Sequence, residues 1–196
     1  NNWRAAKGAM PLLEWAMPGA VASVQLQGAP RAAAAAWTCA KKNWPRFWPM
    51  KAELRAAYAR VVADTNVLLS AALSPNGVPS AVLDWVLREG ALLFSNESFA
   101  ELETRIWKAK FDRYLPIESR KQLLHDFNAS AVWVVIPDAL NAQSFCRDKN
   151  DDIFIRTALA AGATRLISGD DDLLTLHPLG TLHIISPRTA WDELTA

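Results

Sequence analysis

The sequence predicts an α/β protein built on a mainly parallel central sheet. Three observations carry that expectation. From residue 60 onward, short apolar runs alternate with longer amphipathic ones. The short runs read as buried strands, and the longer ones open on Pro, Ser or Asp and close on Gly. Strands that alternate with helices require βα crossover units, which cover a parallel sheet on both faces.

Each element follows from local chemistry. "RVVAD" (60–64) reads as the first strand, "TNVLLSAAL" (65–73) as a helix and "SPNG" (74–77) as a turn. "VPSAVLDWVLREG" (78–90) has Pro79 and Ser80 at its opening, apolar Val82, Leu83, Val86 and Leu87, and Gly90 at its end, so it is a well-punctuated helix. "ALLFS" (91–95) is the second strand, and "SFAELETRIWKAKF" (98–111) an amphipathic helix. "PIESRKQLLHDFNAS" (116–130) starts a helix at a proline, and "AVWVVIP" (131–137) is the third strand. "DIFIRTALAAG" (152–162) is a helix closed by Gly162, followed by strands in "TRLISGD" (164–170) and "LHIISP" (182–187). No internal repeat is present.

Residues 1–49 differ in character. They are rich in Ala, Trp and Pro, hold five of the nine tryptophans and show no sustained period. Met50 opens a segment suited to start a compact domain. The expectation is therefore a domain over 50–196 and an extension over 1–49 outside the fold, disordered or non-native. A basic, aromatic arm that stacks on nucleic-acid bases is the functional alternative for that extension.

Charge divides the chain in the same way. Residues 1–59 hold eight Lys and Arg against two Asp and Glu, whereas residues 60–196 hold thirteen against eighteen. A protein that simply coats phosphates would be basic where it folds. If this fold meets nucleic acid, something positive must intervene. Cys39 and Cys146 form no CxxC pair, which argues against a disulfide framework or zinc site and makes a reducing cytoplasm the default location. No apolar run is long enough for a membrane span. Pro11, Glu14 and Pro18 interrupt the one stretch with a trace of signal-peptide character.

The chemistry concentrates in carboxylates. In open parallel sheets, ligands bind beyond the carboxyl ends of the strands. Asp64 ends the first strand, Asp170 follows the fourth, and Glu101 lies early in the helix after the second. Asp148 and Asp151 open a helix that reaches the same rim if its crossover is right-handed. Each acid has a local explanation. Asp64 and Asp151 are placed to cap helices, Glu101 pairs with Arg105 at i,i+4, and Asp170, Asp171 and Asp172 read as a solvated turn. Together they are harder to explain locally, because two carboxylates about 4 Å apart repel by roughly 4 kcal/mol at an effective dielectric near 20. A cation would relieve that cost, and hard oxygen ligands suit Mg²⁺ or Mn²⁺. His125, His177 and His183 lie away from the acids in sequence, and no P-loop, GxGxxG or GxSxG motif is present. Metal-assisted phosphodiester hydrolysis remains, with a cation that activates water and stabilises charge on the phosphate.

"VVADTNVLLSAAL", "SFAELETRIWKAKF", "CRDKNDDIFIRTALAAGATRLISGDDDLL" and "IISP" together resemble PIN-domain proteins, specifically the PIN-family toxins of bacterial type II toxin–antitoxin systems. The resemblance runs colinearly over about residues 60–192. It implies a compact α/β/α sandwich, a divalent-metal-dependent endoribonuclease, RNA as substrate, a cognate antitoxin and a homodimer to which the apolar helices at 79–90 and 99–111 contribute. Carried over by position, Asp64, Glu101, Asp151 and Asp170 are the metal-binding, catalytic acids. Asp151 earns its place by standing seven residues before Ala158 on the same helix. Asn66 supports Asp64, Asp148 stands behind Asp151, Ser168 lies near the scissile phosphate and Asp172 fixes the loop. Glu97 and Glu103 are expected to be exposed. Asp152 is expected to be a solvent-facing charge, and the dipole of its helix is expected to help Asp151 stay ionised.

Two other readings compete. A PIN scaffold could bind RNA or an antitoxin without cutting, although the full acidic set argues against a degenerate site. A haloacid-dehalogenase-type phosphatase would need an aspartate two residues after Asp64, where this chain has Asn66. The domain boundary is open to direct test. Limited proteolysis should leave a protected fragment that starts near Met50, and one that starts before about Trp37 would overturn that boundary.

Overall fold

The computed structural model describes residues 52–196, so the expected extension over 1–49 lies outside the described residues. In chain order the elements are α1 (Ala52–Ala57), β1 (Val61–Ala63), α2 (Thr65–Leu73), α3 (Val78–Glu89), β2 (Leu93–Phe94), α4 (Asn96–Ile106), a 3-10 turn (Ala109–Phe111) and α5 (Ile117–Ser130). They continue with β3 (Val132–Trp133), α6 (Asp138–Asn141), α7 (Asp152–Ala161), β4 (Arg165–Ile167), α8 (Asp171–Leu174), β5 (His183–Ile185) and α9 (Pro187–Thr195).

All strand pairings are parallel. β1, β4 and β5 form one ladder in that order, and β2 pairs with β3. A single parallel bridge, Val61 with Leu92, joins the two parts at β1. The Val61 amide, 2.9 Å from the Ala91 carbonyl oxygen, reinforces that junction. The resulting order is β3-β2-β1-β4-β5, with β1 at the centre. The chain builds outward from β1 to one side, then crosses over to build β4 and β5 on the other. The crevice between the carboxyl ends of β1 and β4 is therefore the topological switch point, where open α/β sheets bind ligands.

The strand side chains divide between two cores. Val61, Ala63, Leu92, Phe94, Ile167 and Ile185 pack in one hydrophobic cluster with α2, α3, α4, α5 and α9. Their strand neighbours Val62, Leu93, Leu166 and Ile184 pack in the other, against Phe154, Ile155 and Ala158 of α7 and Leu173 of α8. Because successive strand side chains point to opposite faces, this division makes the sheet the middle layer of an α/β/α sandwich. The expected fold class holds.

Several boundaries differ from expectation. Each strand is shorter than its apolar run, since only two or three residues per strand are paired. The helix expected over 98–111 begins at Asn96 and ends at Ile106. Ser95 caps it, with a hydroxyl that accepts from the Ser98 amide while Ser98 Oγ accepts from the Ser95 amide. Residues 109–111 form the separate 3-10 turn. Helices α1, α6, α8 and α9 were not anticipated. For α9 the signal was present: Ser186 accepts from the Thr189 amide and Pro187 takes the first helical position. The apolar faces of 79–90 and 99–111 are largely used within the domain. Val82, Leu83, Val86, Leu102 and Ile106 are fully buried, and Trp107, at 44% exposed, is the large apolar side chain of these two segments that stays open to solvent.

Gly162 ends α7 in the left-handed region at φ 61°, where glycine carries no Cβ penalty. Gly90 has a different constraint. A Cβ there would collide with the Tyr58 carbonyl oxygen, at the point where the chain leaving α3 passes the segment that leads into β1. Gly90→Ala should therefore lower stability by about 1–3 kcal/mol, the usual cost of overpacking a filled site, as read from the midpoint of urea unfolding.

Candidate metal centre

Asp64 follows β1 and sits at the switch point, 2% exposed. Its backbone amide extends the β1–β4 ladder by donating to Ile167 O at 2.9 Å. Its carboxylate is held from both sides. Oδ1 accepts the Asn66 amide at 3.0 Å as the N-cap of α2, and Oδ2 accepts the Ser168 hydroxyl at 3.0 Å across the crevice. Ser168, fully buried after β4, also accepts the Asp170 amide at 3.0 Å. Asp170 caps α8 by accepting the Asp172 amide at 2.8 Å. One serine thus sets the relation between the acids that end the two central strands.

Glu101 enters from α4, and the first turn of α2 receives it. The hydroxyl of Thr65, itself 1% exposed, donates to Glu101 Oε2 at 3.2 Å. Arg105 Nε lies 2.6 Å from Glu101 Oε1, and its Nη1 donates to Asn66 Oδ1 at 3.2 Å. The short Arg105–Glu101 ion pair thus supplies the counter-charge on one Glu101 oxygen, and Thr65 donates to the other. Glu97 and Glu103 are exposed, as expected.

Asp151 and Asp152 divide in a way the sequence did not indicate. Asp151 occupies the N-cap position of α7, yet its side chain accepts no capping hydrogen bond, so capping does not account for it. Asp152 is fully buried, which overturns the solvent-facing reading. Its Oδ1 accepts the Phe145 and Cys146 amides at 2.8 and 2.7 Å, and its Oδ2 pairs with Arg156 at 3.2 Å. It is the tie that fastens the loop before α7. Asp148 is exposed and forms a local turn by accepting the Asn150 amide at 2.9 Å. Asp172, in the first turn of α8, stands 3.5 Å from the guanidinium of Arg147 in the loop before α7.

The electrostatics follow from these partners. Burial pushes Asp64 above the usual carboxylate range, and Asp170 adds to it, against the Asn66 amide, the Ser168 hydroxyl and Arg105. Burial raises Glu101 likewise, with Asp64 adding to it against Arg105 and Thr65. Asp151 is pushed up to about 6 by burial and then by Asp170, Asp148, Asp64 and Glu101. Asp152 goes the other way: burial raises it, but the Cys146 and Phe145 amides, Ser144 and Arg156 together hold it below the usual range.

The donor chemistry suits a hard divalent cation: four carboxylates, of which Asp151 makes no capping hydrogen bond. As placed, no three His, Cys, Asp or Glu side chains among the described residues stand close enough to hold a metal ion. The sequence reading missed Thr65, although it lies between the two residues of "DTN" that were singled out. Arg105 was read as a local partner of Glu101, whereas it also reaches Asn66 on another helix.

Comparison with known proteins identifies the scaffold. The family described as PIN domain matches residues 60–172, more than half of the chain. The chain belongs to that family. PIN domains are generally nucleases. The uncharacterized protein MJ1680 of Methanocaldococcus jannaschii is 36% identical over 119 residues, which cover 60% of this chain and 74% of that protein. A chain in the crystal structure of VapBC2 from Rickettsia felis bound to a DNA fragment from their promoter aligns with a TM-score of 0.47 and 15% identity, over 65% of this chain and 98% of that one. Among the described residues of the PIN domain, no helix is long and apolar enough to cross a membrane.

The adjacent aspartates should respond oppositely to substitution. With its carboxyl raised to about 6 in the fold, Asp151 contributes stability below about pH 4, and that contribution is lost as pH rises through 6. In EDTA, Asp151→Asn should melt higher than wild type at pH 8 and no higher at pH 4. Asp152, lowered in the fold, contributes above about pH 4 and loses that contribution on acidification. Asp152→Asn should cost about 2–3 kcal/mol at pH 7, the scale of hydrogen bonds to a buried charge. Thermal melts across that pH range check both.

Proposed function

We propose that this PIN domain is a Mg²⁺- or Mn²⁺-dependent endoribonuclease that hydrolyses RNA phosphodiester bonds, the toxin of a type II toxin–antitoxin pair. The observation that supports the hydrolytic part is the placement of Asp64 and Asp170 at the ends of β1 and β4, with Glu101 and Asp151 within electrostatic reach of them. RNA as substrate, a cognate antitoxin, a homodimer and a cytoplasmic location rest on the resemblance of the sequence to that toxin group. The domain boundary near residue 50 belongs to the same proposal.

The residues divide the work by position. Asp64, Glu101, Asp151 and Asp170 would hold the cation. When bound, it supplies a Lewis acid that stabilises charge on the phosphate and activates a water. Ser168 orients Asp64 through its hydroxyl and Asp170 through its amide contact. Thr65 fixes the rotamer of Glu101, and Asn66 holds Asp64 with its backbone amide while its side chain holds Arg105. Such partners behind the ligands are worth about 10–100-fold in metal affinity or activity.

A second reading is a PIN scaffold that binds RNA or an antitoxin without cutting. The spacing of the acids, no three of which close up as placed, favours it. Purified protein separates the two. The nuclease reading expects RNA cleavage that needs Mg²⁺ or Mn²⁺, stops with EDTA, falls to background in Asp64→Asn and drops about 10–100-fold in Ser168→Ala. Cleavage that persists in Asp64→Asn would overturn it, and calorimetry without Mn²⁺ binding would favour the scaffold. A short neighbouring reading frame for a DNA-binding antitoxin would bear out the toxin assignment.

A further inference from the structure

A groove of about 360 Å³ opens beside the acidic centre, between α4 with its C-terminal end and the loop that leads into α7. Glu101 lines it together with Arg105 and Lys108 from one side and Lys149 and Asn150 from the other, and Ile153 adds an apolar surface. Three cations therefore converge in a region of the chain that carries thirteen Lys and Arg against eighteen Asp and Glu. The described residues contain four lysines. Lys110 lies over the Phe111 ring at 4.9 Å and Lys121 stands 3.7 Å from Glu118. The side chains of Lys108 and Lys149 are exposed and make no hydrogen bond or ion pair among the described residues, and both line this groove.

Arg105 is met by Glu101, whereas Lys108 and Lys149 bring two charges to the groove that have no ion-pair partner among the described residues, and such charges favour an anion between them. Glu101 belongs both to the groove and to the acidic centre, so an anion in the groove abuts that centre. A volume of this size lies within the range of ligand clefts, roughly 300–1,000 Å³. A polyanion with phosphates in succession meets both needs: one phosphate faces the acids while its neighbour meets the cations.

We propose that the groove lined by Arg105, Lys108 and Lys149 binds the phosphodiester backbone of a single-stranded polynucleotide next to the bond presented to the acidic centre. The proposal rests on the nuclease reading of that centre. Lys108 and Lys149 serve as mobile point charges on phosphate oxygens, and Arg105 links the groove to Glu101 and Asn66. Ile153 offers a surface for a sugar or base. The groove supplies locally the positive charge that the acidic domain lacks.

The test is fluorescence anisotropy of the full chain with a labelled single-stranded 2′-O-methyl oligoribonucleotide in EDTA, so that cleavage does not enter the readout. Lys108→Ala/Lys149→Ala should weaken binding at least ~5-fold and flatten the plot of log K against log salt by about 1.4, or about 0.7 for each phosphate of a single strand that a lysine no longer neutralises. Lys110→Ala/Lys121→Ala should keep the wild-type affinity and slope. The basic residues of 1–59 add the same background to every variant. Both groove lysines are exposed, and circular dichroism should show an unchanged fold. An unchanged affinity and slope in the groove variant, or an equal loss in the control variant, would overturn the proposal. So would binding of labelled polyglutamate by the wild type with no binding of the oligonucleotide, which would assign the groove to an acidic protein partner. Failure of the nuclease reading would show separately, as absent cleavage with these affinities intact.

Discussion

The domain turns on one buried carboxylate at the end of its central strand. Asp64 continues the β1–β4 ladder through its amide, starts α2 by capping it, and accepts a hydroxyl from Ser168 across the crevice. Hydrogen bonds to a buried charge are each worth about 1.5–3 kcal/mol, so the same contacts that hold β1, α2 and β4 in register also fix the orientation of the acid. A change that loosened Asp64 would disturb the pairing of the two strands that define the switch point. Fold and site share their central residue.

Around that residue the structure keeps an unrelieved electrostatic load. Glu101 is held by Thr65 and paired with Arg105, yet burial still raises its carboxyl and Asp64 adds to it. Asp151 makes no capping hydrogen bond, and burial followed by the repulsion of Asp170, Asp148, Asp64 and Glu101 raises its carboxyl to about 6. One position on, Asp152 is satisfied by two amides and a guanidinium and is held low. Two adjacent aspartates, equal in intrinsic chemistry, become a charged structural tie and a carboxyl raised toward neutrality. Partners decide the difference, and the partners come from different elements.

Much of the molecule was legible beforehand. The order of strands and helices followed from apolar runs and their Pro, Ser and Gly punctuation, and α2, α3, α5 and α7 fall within a residue or two of their expected spans. Asp64 and Asp170 were legible as acids that follow strands and Asp151 as one that opens a helix, whereas Glu101 lies in the middle of α4. Strand lengths were not, since an apolar run reports burial whereas pairing depends on how many residues find a partner before the sheet twists away. The groove cations were also hidden. Lys108 and Lys149 are 41 positions apart in the chain, and nothing local to either indicates that the other faces it.

Sequence by itself determined the α/β class, the placement of Asp64, Glu101, Asp151 and Asp170 near the strand ends, and the contrast between a basic leading segment and an acidic remainder. These are properties of periodicity, spacing and composition, all of which are local. Only the tertiary structure decided which aspartate of the 151–152 pair is buried and bonded, that Thr65 rather than a residue of α4 accompanies Arg105 in holding Glu101, and that Arg105 also reaches Asn66. Each of those outcomes depends on a hydrogen bond or charge contributed by a segment distant in sequence or by a loop closing back on its own helix. Folding brings such groups together at definite distances, and the chain order does not state them.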